Sequence, residues 1–142
     1  CGGRKTLREE LAMEINWEQL RQVAAKASEK AYAPYSNYPV GAAAITDSGQ
    51  IISGANVENA SYGLTLCAEC SLVSELFAKG GGKLVAFCCV DQEGAVIMPC
   101  GRCRQLLSEH AATGMMLETI SGIKSIEEVI PDAFGPSDLQ EN

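Results

Sequence analysis

Two pairs of cysteines carry the first chemical signal in this chain: Leu66-Cys67-Ala68-Glu69-Cys70 and Met98-Pro99-Cys100-Gly101-Arg102-Cys103. Within each pair the thiols stand at i and i+3, on one face of a helical turn. Thiolate sulfur is a soft ligand, and a tetrahedral sulfur set points to zinc or an iron–sulfur cluster; zinc needs no redox partner. Helix starts favour thiolates, because free amides and the helix dipole place partial positive charge there. Ligand count then decides the chemistry. Four protein ligands close a structural site, whereas three leave a position for water. Cys67, Cys70, Cys100 and Cys103 together fit a closed site serving as an interaction module. A three-cysteine site would leave Glu69 free to move protons.

Either site needs two helix starts brought together over a sheet edge, and the surrounding sequence supplies them. Cys70 runs directly into a helical pattern, giving a helix from about Leu66 to Lys79 with Leu72, Val73, Leu76 and Phe77 as its buried stripe. Leu84 to Asp91 is almost wholly apolar, as in a central strand covered on both faces. Cys88 and Cys89 inside it read as small buried hydrophobes. Pro99 suits the entrance of a second helix from Cys100 to His110. His110, the only histidine, falls at the far end of that helix, too distant to join the metal.

Upstream, Asn16 with Gln19 forms a capping arrangement for a helix marked by Trp17, Leu20, Ala24, Ala27 and Ala31 and ended by Pro34. Val40–Thr46 and Gln50–Val57 read as a hairpin around Asp47-Ser48-Gly49. That hairpin would deliver Asn56 and Glu58 to one face, since side chains two apart in a strand point the same way. Such a pair can hold sugar hydroxyls or satisfy turn backbone. Downstream, Met115–Glu118 and Ile120–Ile123 are expected as short strands, and Ser125-Ile126-Glu127-Glu128 opens a brief helix.

Cys-Ala-Glu followed, after a strand, by Pro-Cys-x-x-Cys matches the zinc deaminase signature in which three cysteines hold the metal. The chain resembles the small homotetrameric cytidine deaminases that act on free nucleosides. Ala33-Pro34-Tyr35-Ser36-Asn37-Tyr38-Pro39-Val40-Gly41-Ala42-Ala43, Asn56-Val57-Glu58-Asn59-Ala60 and Pro131-Asp132-Ala133-Phe134 carry the likeness beyond the metal motif. It runs from about Trp17 to Leu139.

The resemblance implies a three-layer α/β/α fold around a central mixed sheet of about five strands. It implies one Zn2+ per subunit on Cys67, Cys100 and Cys103, with Glu69 as the catalytic acid–base. The implied reaction is hydrolysis of cytidine and deoxycytidine to uridine and deoxyuridine plus ammonia, a step of pyrimidine salvage. Asn56 and Glu58 would bind ribose, Tyr38 would line the pyrimidine pocket, and the main chain at Ala68 would meet the base edge. Ala60 and Tyr62 would complete the substrate site, and Phe134 would reach the active site of a neighbouring subunit in a homotetramer with shared sites. Many members of the family have Arg directly after Cys-Ala-Glu, where this chain has Cys70. Arg102 is the expected charge compensation. The alternatives are a deaminase of the blasticidin S type and the closed four-cysteine module.

Composition bounds these readings. A chain of 142 residues with 46% hydrophobic and 20% charged residues is expected to form one domain over residues 13–142, with 1–12 as a flexible extension or expression remnant. A net charge of −7 argues against a nucleic-acid-binding surface, and a neutral nucleoside needs no basic patch. No apolar run reaches membrane-spanning length and no signal peptide is visible, so neither a membrane nor a secretory route is expected. Four of seven cysteines sit in metal-type pairs, which suits a reducing cytoplasm.

Overall fold

The computed structural model describes residues 14–139, so the expectation for residues 1–12 lies outside the described residues. Helix α1 spans Trp17–Ser28, strands β1 and β2 span Val40–Thr46 and Ile51–Ala55, and helix α2 spans Ala68–Ala78. Strand β3 (Leu84–Asp91), helix α3 (Gly101–His110), strands β4 (Ala111–Thr119) and β5 (Gly122–Ser125) and the short helix α4 (Ile126–Val129) follow. The five strands form one sheet in the order β2-β1-β3-β4-β5. β1 is antiparallel to both β2 and β3, β3 and β4 are parallel, and β4 and β5 are antiparallel. The sheet is therefore mixed, as expected.

Period-two alternation assigns the layers. Ala42, Ala44, Phe87 and Cys89 point into a core shared with Leu72, Leu76 and Leu107 of α2 and α3. Ala43, Ala86, Cys88 and Val90 point the other way, against Leu20 and Ala24 of α1. Both faces of β3 are thus covered, which is why its sequence is an apolar run and not an alternating one. The run of alanines in β1 lets both helix layers approach closely. Gly41 and Gly54 take this further. A Cβ on Gly41 would lie 1.8 Å from the Ala24 carbonyl oxygen, and one on Gly54 would lie 2.5 Å from the Leu72 nitrogen.

Several boundaries differ from expectation, each for a local reason. α1 is capped as anticipated, the Asn16 side chain accepting from the Gln19 amide at 3.0 Å, but it ends at Ser28. Beyond it Tyr32 joins a bridge with Val57, so Ala31 is not part of the helix. β2 stops at Ala55 because the Asn56 side chain turns back to bond the chain at Tyr38 and Val40. The last hairpin turns at Ile120 and Ser121, with Gly122 at φ 110°, so Ile120 is exposed turn and not strand. Phe77 is 59% exposed and meets the His110 ring edge-on at 5.3 Å, instead of joining the buried stripe of α2.

Arg21 on α1 and Glu118 on β4 form an ion pair at 2.5 Å across the sheet. Cys88 lies on the same face. Burial, and then the Glu118 charge, push its thiol up to about 12, with Arg21 opposing. Such a thiol is chemically quiet.

Candidate active site

Two helix starts converge on one site. Cys67 is the N-cap of α2 and Cys100 the N-cap of α3, both in extended conformation, and Cys103 lies in the first turn of α3. The sulfurs of Cys67, Cys100 and Cys103 all lie within 4.8 Å of one another. Cys70, one turn into α2, is outside this group. The closed four-cysteine reading is therefore not favoured.

The donor set fits zinc: three thiols, two at helix N-caps, in a partly buried site with room for a fourth ligand. Its electrostatics call for a cation. Burial, followed by the Glu69 charge, pushes the Cys103 thiol well up. Burial raises Cys67 too, with Glu69 and the other thiols adding to it and the Cys103 thiol opposing. At Cys100 burial also acts upward, but the Cys103 and Arg102 amides and the Cys103 thiol outweigh it and hold the group below its ordinary value. Arg102 thus reaches Cys100 through its main-chain N–H. Its exposed guanidinium makes no hydrogen bond or ion pair among the described residues.

Glu69 is 4% exposed and faces the thiols of Cys103 and Cys89. It lines a cavity of about 170 Å³ with Val40, Asn56, Thr65, Ala68 and the three cysteines. A second cavity, of about 410 Å³, is walled by Tyr35, Ser36, Glu58, Tyr62 and Thr65. The two meet at Thr65.

Asn56 and Glu58 reach these cavities by a route the sequence did not suggest. Val57 and Leu66 exchange both main-chain hydrogen bonds, at 2.9 and 2.8 Å, and form a short antiparallel ribbon. Asn56 and Glu58 therefore share a face with Thr65 and Cys67, while Val57 and Leu66 point away. Both side chains also hold the loop before β1. Asn56 Oδ1 accepts from the Val40 amide at 2.9 Å and Nδ2 donates to the Tyr38 carbonyl at 3.0 Å. Glu58 Oε1 accepts from the Tyr35 and Ser36 amides at 3.0 and 3.1 Å. The Ser36 hydroxyl, and then these amides, hold Glu58 below the usual carboxylate range against a small opposing effect of burial. One Nδ2 hydrogen of Asn56 is left for a ligand.

The remaining expected residues divide. Ala68 lines the inner cavity and Tyr62 the outer one, where it meets Tyr35 edge-on at 5.9 Å. Tyr38 contributes its carbonyl to Asn56, but its ring is half exposed and walls neither cavity. Ala60 is exposed and likewise outside both. Phe134 is 57% exposed and sits in a separate groove with Ser108, Ile126 and Ile130, so one chain does not bring it to the cysteines. The sequence reading left out Arg104 and gave Cys89 a packing role alone. Arg104 donates to the Pro99 carbonyl at 2.9 Å and the Val129 carbonyl at 3.3 Å, bracing the turn that presents Cys100. Cys89 donates to the Ile97 carbonyl at 3.1 Å behind Glu69. An Arg four residues after a ligand cysteine was the available signal for the first. An inward parity on β3 was the signal for the second.

A mixed α/β/α sheet with three thiols and a buried carboxylate at two helix starts defines a zinc-dependent hydrolytic centre. The profile of the family described as the cytidine and deoxycytidylate deaminase zinc-binding region matches residues 15–119. The cytidine deaminase of Mycobacterium tuberculosis is 49% identical over 126 residues, covering 89% of this chain and 95% of its own. A crystal structure of cytidine deaminase from that organism matches with a TM-score of 0.83 at 50% identity, covering 85% of this chain and 98% of the other. The enzyme from Mycobacterium leprae matches with a TM-score of 0.82 at 52% identity, over 83% and 99% of the two chains. The chain belongs to the cytidine and deoxycytidylate deaminase family.

Proposed function

We propose that this chain is a zinc-dependent cytidine deaminase, converting cytidine and deoxycytidine to uridine and deoxyuridine with release of ammonia. The observation that carries the reading is the three-cysteine cluster with buried Glu69 beside it and a cavity in front. Zinc held by Cys67, Cys100 and Cys103 would supply a Lewis acid that makes a water acidic enough to attack near neutral pH. Glu69 accepts the proton of that water and delivers it to the ring nitrogen beside the amine-bearing carbon. A bond forms from the water oxygen to that carbon, Glu69 relays the second proton of that oxygen to the amine, and the carbon–nitrogen bond breaks to release ammonia. One carboxylate serves as base and then as acid.

The Ala68 main chain meets the base edge. The spare Asn56 N–H and the Glu58 carboxylate hold the sugar, which fixes the reacting carbon over the cysteines. Tyr38, Ala60, Tyr62 and Phe134 act at the mouth of the site, the last from a neighbouring copy. Tyr35 and Tyr62 wall the outer cavity, and Tyr32, Tyr38, Leu64 and Leu66 are exposed as well; so many exposed apolar side chains in one chain support a homotetramer that covers them. No helix among the described residues is long and apolar enough to cross a membrane. The thiol-rich site supports a reducing, cytoplasmic location.

Loss of the cytidine ultraviolet band on adding zinc-loaded protein tests the reading. Full zinc content with no change in absorbance for cytidine or deoxycytidine would overturn it.

A further inference from the structure

We infer that Thr65 is a specificity-determining residue of this site, its hydroxyl reading a hydroxyl of the nucleoside sugar next to Glu58. The inference rests on the deaminase reading and extends it to a residue outside the metal and sugar motifs. Its basis is the ribbon. Because Val57 and Leu66 form the hydrogen-bonded pair, the flanking pairs are Glu58 opposite Thr65 and Asn56 opposite Cys67. Flanking pairs of this kind are the non-hydrogen-bonded ones, in which opposed side chains approach most closely. Thr65 and Cys67 are both extended, so their side chains leave the chain on the same side.

The cavities agree with this parity. Thr65 walls both the chamber of the cysteines and Glu69 and the chamber of Glu58, Ser36 and Tyr62, while Leu66 walls neither. A nucleoside whose base lies over the cysteines and whose sugar lies at Glu58 must pass Thr65 where the two halves join. The Thr65 amide is already bound to the Tyr62 carbonyl at 3.2 Å, which fixes the backbone. Its hydroxyl has no hydrogen-bond partner among the described residues. A half-buried hydroxyl beside a carboxylate, held in place but unpaired, is a group waiting for a polar ligand.

The test compares Thr65→Val, which keeps the shape, with Thr65→Ser, which keeps the hydroxyl. Each zinc-loaded variant is assayed on cytidine and on its 2′-, 3′- and 5′-deoxy analogues. Thr65→Val should lose roughly five- to tenfold in kcat/KM on cytidine, the worth of one hydrogen bond to substrate. On one analogue the loss should vanish, because the hydroxyl that Thr65 reads is already gone. Thr65→Ser should stay near wild type. Equal loss on all four substrates, no loss on cytidine, or equal damage from Ser and Val would overturn the inference while leaving the deaminase reading intact. A wild-type protein that turns over none of the four would remove both.

Discussion

Among individual residues, Glu69 has the clearest separable role. Glu69→Gln should retain fold and one zinc per chain while kcat falls about 10²- to 10⁴-fold, since an amide can hydrogen-bond water but cannot relay a proton. Metal analysis alongside turnover checks it, and substantial residual activity would remove Glu69 from the chemistry. Cys70 stands outside the sulfur cluster. Cys70→Ala is therefore expected to keep full zinc and most activity, whereas Ala at Cys67, Cys100 or Cys103 should lose both. Arg102→Ala should change turnover by less than about twofold, because a main-chain N–H survives the substitution. Glu58 adds a pH dependence. Its folded pKa is lowered, so the carboxylate's hold on the Tyr35 and Ser36 amides is complete above about 4.3, the ordinary Glu value. That hold is lost as pH falls through the depressed value. Hydrogen exchange at those two amides should accelerate only in that acid window, and equal exchange on both sides of it would contradict the assignment.

At the scale of elements, the position of α2 is set by close approach. A Cβ on Gly54 would lie 2.6 Å from the Ala68 carbonyl oxygen, and Ser71 Oγ donates to the Ala55 carbonyl at 2.8 Å. Gly54→Ala should push the first turn of α2 off β2 and cost about 1–3 kcal/mol in stability. It should weaken zinc binding as well, because Cys67 and Glu69 ride on that turn. Thermal melts and zinc titration of the variant check both effects, and unchanged zinc affinity would detach the ligands from this packing. The elements themselves were mostly legible in sequence. β3 showed as an apolar run, and the starts of both metal helices showed as Cys-x-x-Cys with Pro99 before the second. The ribbon of Val57 and Leu66 was not legible, because a two-residue bridge leaves no periodicity. The same bridge hid Thr65. The outward Phe77 escaped for a related reason: which face a residue takes at an element's end is decided by tertiary neighbours.

For the whole molecule, the exposed tyrosines and Phe134 carry the expectation of assembly. Light scattering should report a tetramer at assay concentrations, and an active monomer would refute the shared-site proposal. Phe134→Ala should raise KM for cytidine several-fold while changing the melting temperature of the chain by little, since the ring is more than half exposed in one subunit. Chelation should act on a wider scale. The three sulfurs join segments on either side of β3, so removing zinc unfastens α2 from α3 and should lower the melting temperature together with activity.

The alternation along residues 56–58 and 65–67 also bears on how the gene can change length. Removing or adding one codon within either three-residue stretch would turn Val57 or Leu66 inward and send a ligand or sugar contact out to solvent, an all-or-none loss. Length changes in the connecting loop, Asn59 to Leu64, leave that parity untouched. Indels compatible with activity should therefore be confined to the loop between the two halves of the site.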